Sequence, residues 1–271
     1  MNMRDAILNA VSDLRARSPL VHSLTNYVVM EVTANVLLAA GASPLMAHEP
    51  EELDDLLAIA SALVLNIGTL DKNWIASMEK AGEAANRHGK PVVLDPVGAG
   101  ASRLRTETSL RLLERVRPKV LRGNASEIMA LAPEAAAARG FSKGVDSTNA
   151  SFEAAPAALF LAKKYGCVVS VSGAEDWITD GRTTLLVKGG TPLMTRVTGM
   201  GCSSTALTAA CAAVACSPLI AAAAAMAMMA AASNRAAATA GGPGSFLPAF
   251  LDALFTLKPA EAAACVHPAD E

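Results

Sequence analysis

Short apolar runs alternate with longer stretches of helical periodicity along most of the chain. A first helix carries Ile7, Leu8, Val11 and Leu14 on one face. The runs "LVHSLT", "SPLMA", "ALVLNIG", "PVVLDPVG" and "VLRGN" follow, each ending in polar or glycine residues, and most are succeeded by a helical pattern. Near-continuous apolar strands of this kind belong to a parallel sheet covered on both faces. "CVVSVSG" continues the series, "DWITDG" and "TTLLVKGG" have the spacing of a hairpin or meander, and "LMTRVTG" reads as a last strand before the long helices. The segment from Pro133 to Asn149 is rich in Gly, Ser and Asp and reads as a loop too short to link domains. No internal repeat is visible. The pattern therefore predicts an α/β fold over residues 1–271: one domain, one doubly wound, mostly parallel sheet, helices on both faces.

Composition narrows the partners. Hydrophobic residues make up 52% of the 271, ample for a core, and the net charge of −2 lacks the broad basic surface that nucleic-acid binding needs. The start of the chain has no continuous apolar segment followed by a small-residue cleavage site, so the expected location is cytoplasmic. Five scattered cysteines without a C-x-x-C pair argue against a disulfide framework or a structural zinc, and Cys211 and Cys216 read as small buried apolar residues. The segment "SPLIAAAAAMAMMAAASNRAAATAGG" is long enough to span a membrane, but alanine partitions weakly into lipid and Asn234 and Arg235 interrupt it. A helix buried in a close-packed interior or subunit contact fits better.

In open α/β sheets ligands bind beyond the carboxyl ends of the strands. Four such ends carry chemistry: "LTN" (24–26), "LDPVGAGAS" (94–102), "RGNASE" (122–127) and "VTGMGCSS" (197–204). In the last, a Gly-x-Gly turn opens a helix with Ser203, Ser204 and Thr205. Free N–H groups and the positive end of a helix dipole then surround one point, which suits a phosphate or a developing anion, although a tight turn capped by Ser203 fits the same residues. The turn lacks the lysine of a Walker loop and the third glycine of a dinucleotide fingerprint. Asp95 and Glu127 could hold a magnesium ion, mostly through water. Asn124 and Glu127 also fit a helix cap and a first-turn acid. His22, on an apolar strand, reads as a core histidine with a hydrogen-bond partner, and Met226, Met228 and Met229 as packing residues.

Taken together, "SPLVHSLTNYVVMEVTANVLLAAGASPLMA", "ALVLNIGTL", "LDPVGAGASRLRTET", "RGNASEI", "KGVDS", "VTGMGC" and "GPGSF", in this order and spacing, resemble the hydroxyethylthiazole kinase family from about Ser18 to Phe246. The resemblance implies a ribokinase-like fold without a β-lid, ATP and Mg²⁺ as cofactors, and phosphorylation of 4-methyl-5-(2-hydroxyethyl)thiazole in thiamine salvage. It implies ATP contacts at Arg122, Asn124, Ser172 and Gly201, and thiazole contacts at Met46 and Gly199. Asp95 and Glu127 match the metal and phosphate-side carboxylates. It further implies a homotrimer in which Asn26 and Val28 close the pocket from a neighbouring subunit. Ser172 stands where the family more often has threonine, which keeps the hydroxyl.

Cys202 occupies the position where most ribokinase-like kinases carry a catalytic aspartate, and the family pattern has cysteine there. The position at a helix N-terminus leads one to expect a lowered thiol pKa and a thiolate able to take the substrate's hydroxyl proton. Two other readings share the fold or the scaffold. An ATP-dependent dehydratase of hydrated nicotinamide nucleotides normally has Asp at this position and lacks the "TN" and "GASPLMA" motifs. A non-catalytic thiazole or nucleotide sensor would have no need for Asp95, Glu127, Gly201 and Cys202 together.

Overall fold

The computed structural model describes residues 2–137 and 151–269. In chain order the elements are α1 (Met3–Arg17), β1 (Leu20–Leu24), α2 (Met30–Ala40), β2 (Ser43–Leu45), α3 (Leu53–Ile59), β3 (Ala62–Asn66), α4 (Lys72–Arg87), β4 (Val92–Asp95), α5 (Arg103–Val116), β5 (Val120–Asn124), α6 (Ala125–Leu131) and α7 (Pro133–Ala137). A single 3₁₀ turn at Ser151–Ala154 precedes α8 (Ala155–Tyr165), β6 (Val168–Ser172), β7 (Glu175–Thr179) and β8 (Thr184–Lys188). A second 3₁₀ turn at Pro192–Arg196 leads to α9 (Met200–Ala212), α10 (Pro218–Ala237), α11 (Pro243–Phe255), α12 (Pro259–Ala263) and β9 (Val266–Pro268).

The helix starts follow local chemistry. Asn2, Asp71, Ser102 and Ser217 each accept a backbone N–H from the first turn of α1, α4, α5 and α10. Asn124 and Glu127 form a reciprocal capping box at α6, so both cap readings hold. All nine strands form one sheet in the order β2-β1-β3-β4-β5-β6-β7-β8-β9. Pairing is parallel from β2 through β6 and antiparallel from β6 to β9. The doubly wound expectation is thus met, and the anticipated hairpin is β7–β8. Among the described residues no strand leaves the sheet to make a lid.

Side chains of the buried strands divide between two cores with period two. Ala62, Val64, Val93, Val120 and Val168 enter the cluster shared with α1, α2 and α9 to α12. Leu63, Leu65, Val92, Leu94, Leu121, Val169 and Val171 enter the cluster shared with α3 to α6 and α8. Continuing the alternation to the strand ends sends Asn66, Asp95, Arg122 and Ser172 toward the face that α9 covers. Register completes the alignment, because Asn66 is the Cα partner of Asp95, and Asn124 of Ser172.

Three expectations need correction. The run "LMTRVTG" is not a strand: Pro192 opens a 3₁₀ turn, the Thr191 side chain caps it through Leu193 N–H, and none of its residues is buried. The 133–149 loop begins as a helix at Pro133–Ala137, and the rest of that segment lies outside the described residues. Cys211 is buried as expected, but Cys216 is exposed, just before the Ser217 cap of α10. β9, three residues paired to β8, is an addition. The alanine-rich α10 is the one described helix long and apolar enough to cross a membrane, and 83% of its most apolar window is buried inside the fold. Met226, Met228 and Met229 pack there.

Gly82 shows how closely the helices pack. A Cβ on it would lie 2.4 Å from Val116 Cγ2 on the neighbouring α5. Gly82→Ala gains about 1 kcal/mol of helix propensity but overpacks a rigid β-branched neighbour, which costs about 1–3 kcal/mol. The clash outweighs the gain, and a lower urea midpoint than the parent is the expected result.

Candidate active site

The site is built where β1, β3, β4 and β5 end beneath the first turn of α9. Gly199 precedes α9 with φ of 90°, and a Cβ there would sit 2.5 Å from Val32 Cγ1 of α2. Both conformation and space therefore require glycine. Two residues on, Gly201 faces Arg122: a Cβ on Gly201 would lie 2.9 Å from Arg122 Nη1. Arg122 is buried and its Nε has no hydrogen-bond partner. An unpartnered guanidinium nitrogen beside free helix N–H groups is an arrangement that an anionic ligand would complete.

Beneath Cys202 runs a buried polar chain. Asn26 Nδ2 donates to Asn66 Oδ1 at 2.9 Å and to Cys202 Sγ at 3.5 Å. Asn66 Nδ2 donates to Asp95 Oδ2 at 2.9 Å, and Thr205 Oγ1, one turn along α9, donates to the same oxygen at 2.7 Å. Burial raises the Asp95 carboxyl to about 7 against the opposing pull of Arg122. Glu127 ties two strand ends together, its Oε1 accepting Gly98 N–H and its Oε2 accepting Asn124 N–H, both at 2.8 Å.

The thiol departs from expectation. Burial, and next the charge of Asp95, push Cys202 up to about 11, outweighing the donors Asn66 and Asn26 and the cation Arg122. Desolvation is larger here than the stabilisation of a thiolate by the α9 terminus. At neutral pH the thiolate fraction is about 1 in 10⁴, so the group is a thiol.

Other expected residues fall as follows. Ser172 is half-buried at the end of β6 and makes one long hydrogen bond, 3.4 Å to Gly123 O. Met46 is half-buried on the loop after β2, which the buried His22 anchors: Nε2–H donates to Ala47 O at 2.8 Å. Burial lowers the His22 pKa, so the ring is a neutral core group with a partner, as expected. Asn26 is buried in this chain within hydrogen-bond reach of Cys202, while Val28 is 68% exposed. Sequence reasoning missed Asn66 and Arg105, and placed Thr205 at the helix start without its bond to Asp95. The Arg105 guanidinium donates to Ile67 O (3.0 Å), Val97 O (2.7 Å) and Gly68 O (2.6 Å), joining the loops that follow β3 and β4. An asparagine ending an apolar run was the signal available for Asn66; Arg105 carried none.

A helix start with free N–H groups, carrying a thiol in its first turn and set over the strand ends of one mostly parallel sheet, is the framework of the ribokinase-like fold class. A ribokinase-like superfamily protein from Enterococcus faecalis shares the fold at a TM-score of 0.64 and 12% identity, over 93% of each chain. A structure of hydroxyethylthiazole kinase from Pyrococcus horikoshii matches at a TM-score of 0.85 and 45% identity, over 93% of this chain and 94% of its own. The hydroxyethylthiazole kinase from Nitratidesulfovibrio vulgaris is 59% identical over 247 residues, 91% of each chain. That from Brachyspira hyodysenteriae is 53% identical over 261 residues, 96% of this chain and 97% of its own. The profile of the hydroxyethylthiazole kinase family matches residues 11–260, and the chain belongs to that family.

Arg105→Ala removes three charge-assisted bonds to carbonyls, each such bond contributing about 1.5–3 kcal/mol. Because the side chain is half-exposed, we expect the lower end of one bond's contribution in chemical denaturation, together with a raised thiazole KM as the two loops separate.

Proposed function

We propose that this chain transfers the γ-phosphoryl group of ATP to the hydroxyl of 4-methyl-5-(2-hydroxyethyl)thiazole. The observation that carries the reading is the convergence of Arg122, Gly201 and Cys202 at the start of α9. Arg122 and the α9 amides receive phosphate oxygens, with Asn124 and the Ser172 hydroxyl at the neighbouring strand ends. Met46 and Gly199 line the thiazole side, and Asn26 reaches the acceptor through Cys202.

The residues fit a magnesium ion. Asp95 Oδ1 takes part in none of the bonds that hold Oδ2, and each Glu127 oxygen keeps a lone pair after accepting one N–H. No third carboxylate, cysteine or histidine joins them among the described residues. That donor set suits an ion holding several waters. When bound, Mg²⁺ neutralises charge on the transferring phosphoryl oxygens.

The protein's own contribution is placement. The substrate hydroxyl oxygen forms the new P–O bond, the bond to ADP breaks, and the hydroxyl proton passes to an oxygen of the transferred phosphoryl group and from there to solvent. In a loose transition state proton removal adds little, and a positioned group can act by aiming the oxygen. A neutral thiol suits that role. Val28 and its neighbour Tyr27, 55% exposed, form a rim on which subunits of a homotrimer would meet, with the active sites at those interfaces.

The test is ADP release with Mg·ATP and hydroxyethylthiazole, hydroxymethylpyrimidine or no acceptor, beside light scattering for the trimer mass. Thiazole-dependent release is expected. Binding of thiazole without release under any condition would favour the sensor reading.

The pH profile separates two roles of Cys202. A thiolate base with a pKa near 11 is absent below it and accumulates about tenfold per pH unit, so kcat would climb steeply between pH 7 and 10. For an orienting thiol we expect a kcat that is flat from pH 7 to 9. Cys202→Ala should then lower kcat by about tenfold, below the range general-base loss gives, with nucleotide affinity retained, and Cys202→Asp should remain active.

A further inference from the structure

The geometry points to Asn66, at the carboxyl end of β3, as the positioning residue that aims Asn26 at the Cys202 sulfur and locks this pair to Asp95. The inference deepens the phosphotransfer reading and rests on it for its catalytic consequence only.

Hydrogen-bond logic fixes each amide. Gly68 N–H points at Asn66 from 3.0 Å, and a backbone N–H can only donate, so the atom it meets is Oδ1. The Asn66 amide nitrogen therefore faces Asp95 Oδ2, at 2.9 Å. Oδ1 accepts a second bond, from Asn26 at 2.9 Å, so Asn26 must present its nitrogen there. One hydrogen of that nitrogen is used by Asn66; the other reaches Cys202 Sγ at 3.5 Å. The sulfur is thus an acceptor toward Asn26, and its own hydrogen is left to point elsewhere, where an incoming hydroxyl can pair with it.

The chain has no slack. Asn66 is fully buried and Asn26 and Asp95 nearly so, which places these bonds in a low-dielectric interior where they are strong. The amide of Asn26 is also boxed in from behind: a Cβ on Gly68 would lie 2.6 Å from its Nδ2. The φ of Gly68 is not in the left-handed region, so glycine is required here for space alone. Asn66 is also the parallel-register partner of Asp95, so the anchor is set by the sheet itself.

Two variants test this from opposite sides. Asn66→Ser withdraws the acceptor from Asn26, and Gly68→Ala pushes the Asn26 amide away while leaving Asn66 intact. In folded protein, checked by circular dichroism, each should lower kcat by about 10–100-fold with the ATP KM within about twofold. The Asn26→Ala/Asn66→Ser double variant should lose less than the two single losses combined, because Asn66 reaches the sulfur through Asn26 as well as by its own contact. Iodoacetamide labelling read by peptide mass gives an independent measure, with the exposed Cys216 as internal reference. The ratio of Cys202 to Cys216 labelling should fall several-fold in both Asn66→Ser and Gly68→Ala, whereas simple loosening would raise it. Additive losses, a kcat within twofold of the parent in folded Asn66→Ser, or a raised labelling ratio would each overturn the proposal. If Cys202→Ala proves fully active, the role of the thiol in turnover fails; a lowered labelling ratio would still uphold the aiming of Asn26 by Asn66.

Discussion

The fold's central constraint is the alternation of side chains along strands buried on both faces. Each strand must place every second residue in one core, so the identity of its last residue decides what the covering helix meets. In β3 and β4 the apolar alternation ends in Asn66 and Asp95, and parallel register sets these two side by side. In β5 it brings Arg122 to the same level. A shift of one residue in any of these strands would turn its polar end toward the other core, away from α9. The active site is therefore a property of sheet register before it is a property of any loop.

The covering helix has to approach closely for those strand ends to be useful. α9 achieves this with small residues buried on nearly every side: Ser204 Oγ donates to Met200 O and Thr208 Oγ1 to Ser204 O, while the Ser203 hydroxyl has no partner. Such back-bonding satisfies polar groups inside a helix without exposing them. Thr205 is the exception in direction. Its hydroxyl leaves the helix for Asp95 and binds α9 to β4 at the level of the site. The same helix start leaves its first N–H groups without intrahelical acceptors, so close packing and a cluster of free donors come from one element.

Much of this was legible in the chain itself. Apolar runs such as "ALVLN" and "VVLD" located the parallel strands, and a glycine turn before small polar residues located the start of α9. Asn66 stayed hidden because one asparagine at the end of a strand has no spacing partner in sequence; Asp95 becomes its neighbour only through β3–β4 pairing. Arg105 stayed hidden because a cation on an amphipathic helix ordinarily faces solvent, and here it turns to three carbonyls. The 192–196 run misled because Leu, Met and Val suggest a strand, while Pro192 and the Thr191 cap determine a turn. β9 had no signal beyond its pairing with Leu185 to Val187.

The thiol was misjudged for a related reason. A helix start stabilises an anion, but Cys202 is also buried and stands in the field of Asp95, and burial is the larger effect. That balance explains why a cysteine suits the position. A second carboxylate under α9 would add negative charge beside Asp95 at the point where a polyphosphate must enter. It would also compete for Arg122, whose buried guanidinium already acts through space on Asp95 and Asp176. A neutral sulfur accepts a hydrogen bond from Asn26 and offers its own hydrogen to the cleft without changing the charge of the site. Orientation is thereby separated from charge, which is left to Arg122, the helix amides and the carboxylates on the phosphate side.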